Sequence, residues 1–148
     1  MFEAVLAAIE HSAWGMTARS SPWLYPLANL SHVLGAALLV GAITVYDLAV
    51  LSRPTTFSQG WLAIGVAILG FVFILAGGSV LFAAEATALG RNPVFIVKMA
   101  IVAVALVNVL ANHLLRAQGR VWQAPASAAI SLVAWISVLL AGRLIAYV

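Results

Sequence analysis

The 148-residue chain has no cysteine, which excludes disulfides, zinc–thiolate sites, iron–sulfur clusters and thiol nucleophiles. Charge is nearly as scarce. Asp, Glu, Lys and Arg make up 7% of the residues, whereas a soluble domain carries roughly 25%. The few basic side chains form no run, so the net charge of +3 is not a nucleic-acid footprint. Catalytic signatures are missing too. There is no Gly-x-Ser-x-Gly elbow, no His-Glu-x-x-His, no phosphate loop and no dinucleotide fingerprint, so the chain does not read as an enzyme by itself. Histidine, methionine, carboxylates and hydroxyls remain for any chemistry.

What the sequence has in abundance is hydrocarbon. Hydrophobic residues make up 65% of the chain, more than a soluble core of this size could hide. They are gathered into four stretches, at about residues 22–51, 61–89, 93–115 and 125–147. Each exceeds the ~20 residues that cross ~30 Å of bilayer core. Breaks separate them at Arg53-Pro54-Thr55-Thr56, at Gly90-Arg91-Asn92-Pro93 and over Arg116 to Ala124. Gly90 suits the close of one helix, Pro93 the first turn of the next, and Ser21 with Pro22 the start of the first span. Ahead of them, residues 2–18 place Phe2, Val5, Leu6, Ile9 and Ala13 on one helical face and Glu3, Glu10 and Thr17 on the other. That segment lacks the basic flank and cleavage site of a secretory signal and is expected to stay. The expected fold is all-α. It is a single integral membrane domain, an up-down four-helix bundle with an amino-terminal amphipathic helix in the interface, because short loops force neighbouring helices antiparallel. Small residues at Ala28, Ser31 and Gly35, and at Gly70 and Gly77, would let helices approach closely or make room for a flat cofactor.

Ionisable groups inside apolar spans are rare and mark sites by default. Counting ~1.5 Å of rise per residue from the amino-terminal side puts His32 roughly 12 Å deep, Met99 about 9 Å, Lys98 about 8 Å, Arg143 about 7 Å and Glu85 about 6 Å. The last three and His32 stand on four different helices. A second group, Asp47, Asn108, Asn112, His113 and Arg116, falls toward the opposite face. It reads as a structural polar cluster built around an Asp47–Arg116 pair. The first group has two readings. A Glu85–Lys98 pair with Arg143 reaching for headgroups is a helix-pinning network, in which His32 simply hydrogen-bonds a neighbouring backbone carbonyl. Alternatively His32 ligates b-type haem iron, Lys98 and Arg143 meet the propionates, and Glu85 balances their charge. His113 is about 18 Å from His32 in depth, so a sixth ligand would come from Met99, from His11, or not at all. A quinone headgroup on His32, or copper held by His32 and Met99, is the remaining cofactor expectation.

The stretch Ser21-Pro22-Trp23-Leu24-Tyr25-Pro26 with His32, Gly35, Gly41 and Asp47-Leu48 resembles a family of small bacterial four-helix membrane proteins of unknown function. The run from Phe82 to Lys98, Asn108 with His113, and Ala141 to Tyr147 extend the likeness over most of the chain. The resemblance implies four spans and a bacterial inner-membrane location, and it brings no activity with it. Isolated histidines on apolar helices give a looser likeness to cytochrome-b-type and copper-resistance membrane proteins. Arg53, Arg116 and Arg120 against Arg19 and Arg91 tip the loops toward the cytoplasm and both termini toward the periplasm, when Lys98 and Arg143 are set aside as buried. The expected role is a small electron-transfer or accessory subunit, with lipid, a redox partner or larger membrane complex, or further copies of itself as partners. The alternative is a cofactor-free structural or assembly subunit.

Overall fold

The computed structural model describes residues 1–52, 60–117 and 124–147. Two short helices, α1 (Phe2–Glu10) and α2 (Ala13–Ser20), precede the long α3 (Leu24–Ser52) and α4 (Gly60–Ala84). A short α5 (Ala86–Arg91) leads into α6 (Pro93–Ala117), and α7 (Ala124–Leu144) ends in a 3₁₀ turn, Ile145–Tyr147. The described residues are helical and contain no strand. Four helices are long and apolar enough to cross a membrane.

Local chemistry accounts for most of the helix ends. Asn92 caps α6 by accepting from the backbone N–H of Val94 at 2.9 Å and of Phe95 at 3.2 Å, while Pro93 occupies the first position, where its missing N–H costs nothing. The Ser21 hydroxyl accepts from Leu24 N–H at 3.2 Å, so the first long helix starts at Leu24 rather than at Pro22. Two further ends depart from expectation. Residues 2–18 do not form one helix, because Ser12 takes the extended conformation and accepts from Gly15 N–H at 3.1 Å, starting α2 afresh. The second long helix ends at Ala84, and Glu85 at φ −136° and ψ 35° turns the chain into α5.

Packing is densest between α3 and α4, followed by α6 with α7 and then α3 with α7. Glycines set the first of these contacts. A Cβ on Gly70 would stand 2.6 Å from Leu39 N and 2.7 Å from Gly35 O, and one on Gly77 would run into Ala28 O. These glycines let two backbones touch, which is the packing role of small residues in apolar helices rather than room for a cofactor. The central core joins all four long helices through Leu39, Ala67, Ala105, Ala134 and Trp135. A second cluster ties α2 to α3 and α4 through Ala18, Ala28, Val80 and Ala84. By contrast, the backbones of α4 and α6 do not approach closely, and the two helices meet through side chains such as Phe82 stacked on Phe95, with ring centroids 5.8 Å apart. Only 6% of the apolar window of α6 is buried inside the chain, which leaves that helix the least covered of the four.

The short helices are held at one end of this array by polar contacts. Glu10 accepts from Thr87 N–H at 2.8 Å at the start of α5 and pairs with Arg19 at 2.9 Å. Glu3 pairs with Arg91 at 2.9 Å, and Leu6 is buried against Gly90. Both carboxylates of the amino-terminal segment are thus paired with arginines, the Glu3–Arg91 pair at an exposed position, and Phe2 and Val5 are exposed as well.

Candidate functional site

Two polar regions occupy opposite halves of the helix array. In the first, His32 on α3 lies half-buried against α4, with Nδ1 3.0 Å from the Ile74 carbonyl oxygen. A carbonyl only accepts, so Nδ1 carries the proton and Nε2 presents its lone pair. Among the described residues Nε2 has no partner. The ring fits over Gly78, where a Cβ would stand 3.1 Å from both Nδ1 and Cε1. On α6, the Lys98 ammonium lies over α7, 3.6 Å from where a Cβ of Gly142 would be.

The other residues expected in this group are engaged elsewhere. Glu85 accepts from the Tyr25 hydroxyl at 3.1 Å and forms no ion pair with Lys98. Arg143 donates to the Tyr147 hydroxyl at 2.7 Å and stacks over that ring at 5.1 Å, a contact one helical turn along its own chain. Met99 is 48% exposed and His11 is exposed, so neither is directed at His32 by a described contact. The structure therefore joins His32 to Ile74, sets Lys98 against Gly142 on α7, and engages Glu85 and Arg143 with Tyr25 and Tyr147. Among the described residues no three His, Asp or Glu side chains cluster as a metal site.

The second region lies toward the other end of α3. A cleft of about 360 Å³ is lined by all four long helices, from Tyr46 and Asp47 on α3 and Phe71 on α4 to Asn108 and Asn112 on α6 and Trp135 on α7. Asp47 is 4% exposed, with the Ser131 hydroxyl acting on its carboxyl and with Oδ2 lacking a hydrogen-bond partner among the described residues. Trp135 is also 4% exposed, and its Nε1–H is likewise without an acceptor. Asn108 and Ser127 satisfy each other across α6 and α7. The Asn108 amide donates to Ser127 O at 3.0 Å, and the Ser127 hydroxyl donates to Asn108 Oδ1 at 3.1 Å. The side chains of His113 and Arg116 lie outside the described residues, and so does the expected Asp47–Arg116 pair.

Depth was readable from residue number, and it put Asp47 level with Asn112. Trp135, Ser131 and Ser127 were missed because α7 reads as an apolar span with scattered small hydroxyls. Serine at four-residue spacing, Ser127 and Ser131, was the available signal, since such a pair lies along one helix face. Compared with protein families, curated proteins and solved structures, the chain matches none of them.

Proposed function

We propose that the chain is a small multi-pass membrane protein that acts as an electron-transfer or accessory subunit and holds b-type haem through His32. The observation that supports this reading is the bond from His32 Nδ1–H to the Ile74 carbonyl, a bond the cofactor-free alternative also expects, together with the Nε2 it leaves without a partner among the described residues. A histidine ligand donates its other ring N–H to an acceptor, which fixes the tautomer and aims the free nitrogen at the metal. His32 has that arrangement, with Nε2 unpartnered. Lys98, which pairs with no carboxylate among the described residues, is the cation for a propionate, and Arg143 joins it by exchanging the exposed Tyr147 hydroxyl for a propionate oxygen. Glu85, near the same end of the array, offsets their charge.

The same tautomer weighs between ligands. An oxidised quinone offers carbonyl oxygens, which are acceptors like Nε2, so it gains no hydrogen bond from this imidazole. Copper held by His32 and Met99 requires a methionine that is half exposed. Haem iron needs only the lone pair. The protein belongs, on this reading, in a bacterial inner membrane, with both termini on the periplasmic side. The wide exposed face of α6 also favours docking in a larger complex, which is the role that remains if no cofactor is bound.

Absorption spectra of the purified protein, air-oxidised and then dithionite-reduced, test the assignment. We expect a reducible α-band in the wild type, its loss in His32→Ala, weaker haem retention in Lys98→Ala and an unchanged spectrum in His113→Ala. A colourless wild-type preparation made with haem in excess would sink the proposal.

A further inference from the structure

We propose that the cleft between α4 and α6 is a binding site for a membrane-soluble organic amine, whose ammonium pairs with Asp47. This is independent of any ligand on His32. Three observations point to a ligand rather than to packing. First, the cleft is an open seam: α3 packs on α4 and α7, and α7 on α6, whereas α4 and α6 make no comparably close backbone contact and meet through side chains, as where Phe82 stacks on Phe95 with ring centroids 5.8 Å apart. The rim of that gap is apolar and uncovered, with Ile64 at 48%, Ile68 at 60% and Val109 at 47% exposure. A molecule dissolved in lipid can enter there sideways.

Second, the floor of the cleft holds the buried Asp47 carboxylate, whose Oδ2 has no hydrogen-bond partner among the described residues. A buried polar group left unbonded costs far more than an exposed one, and native structures leave few of them. Asp47 has no basic partner among the described residues. A carboxylate in a low-dielectric cleft is best matched by a cation that carries N–H donors.

Third, the walls suit an organic cation better than a metal ion. Tyr46, Phe71 and Trp135 line the same space, and aromatic faces attract ammonium groups. The other lining is mostly aliphatic, with Asn108 bonded to Ser127, Ser131 acting on the Asp47 carboxyl, and Asn112 as a further polar side chain. A cavity of about 360 Å³ is within the range that holds small ligands, whereas a bare cation would leave most of it empty.

The test uses three probes of one shape: 4-phenylbutylamine, 4-phenylbutanol and 4-phenylbutyrate, titrated into the purified protein in nanodiscs. Binding is read by tryptophan fluorescence and by the shift in Tm. The amine should saturate and bind about tenfold or more tightly than the alcohol, the margin a charge-assisted bond supplies, with the carboxylate weakest. Asp47→Asn should erase the amine's advantage over the alcohol. Ile64→Trp, at the exposed rim where folding is least at risk, should weaken amine and alcohol alike. Equal binding of all three probes, no saturable binding of the amine, or an advantage that survives in Asp47→Asn would overturn the proposal.

Discussion

Glu10 does two jobs at once, because its carboxylate accepts from the first turn of α5 while pairing with Arg19 on α2. A carboxylate at a helix start completes an orphan N–H and meets the positive end of the helix dipole. Its pKa is accordingly held below the ordinary 4.5, first by the hydrogen bonds from Thr87 and then by the Arg19 charge, against an opposing contribution from burial. A group whose pKa is depressed in the folded state stabilises it above the unfolded value and loses that effect as pH falls. The docking of α1 and α2 should therefore be intact above about pH 4.5 and loosen below it, as Glu10 protonates. Hydrogen exchange at the Thr87 amide checks this. Protection should drop on acidification in the wild type, and Glu10→Gln should show the reduced protection already at neutral pH. Protection that is unchanged by both would mean the Glu10 contact does not hold the segment.

At the scale of elements, the α3–α4 contact is the one with the least tolerance. Gly70 meets Leu39 N and Gly35 O, and backbone atoms in a long helix cannot step aside as a side-chain tip can. Gly70→Ala should cost about 1–3 kcal/mol, as overpacking does. Gly41 has nothing within 4 Å of its would-be Cβ, so Gly41→Ala on the same helix pair should stay within about 0.5 kcal/mol. Unfolding of both variants in detergent by added denaturant measures the difference, and equal losses would contradict a backbone-on-backbone seam. Helix ends were legible where a local side chain makes them, as Asn92 and Pro93 do. The turn at Glu85 was not, because Phe82 to Leu89 contains no Gly or Pro and the break is held by Glu10, 75 residues earlier in the chain. Depth was legible as well, since a helix converts residue number into height. The direction each side chain faces was not. Arg143 and Glu85 share a depth with Lys98, yet they turn to Tyr147 and Tyr25.

At the scale of the whole molecule, apolar surface points outward from the helix array. Val45, Val107 and Val133 are each about two-thirds exposed, while Ala105 and Ala134 at the same central level are buried. That inversion suits lipid as the solvent, because a bilayer removes the cost that water would impose on such a surface. It also fixes what should be found on each side of the membrane. Ser52 ends α3 at one face of the array, and Ala88 on α5 lies at the other, both exposed and outside the tight contacts. The chain has no native thiol, so single cysteines report without background. In sealed inverted vesicles, Ser52→Cys should react with an impermeant maleimide if the loop side faces the cytoplasm, and Ala88→Cys should react only after the membrane is opened. The reverse pattern would turn the termini to the cytoplasm and leave the four-span topology standing. Labelling of both from one side would overturn it, because an odd number of spans between α3 and α5, here α4 alone, must put those two residues on opposite faces.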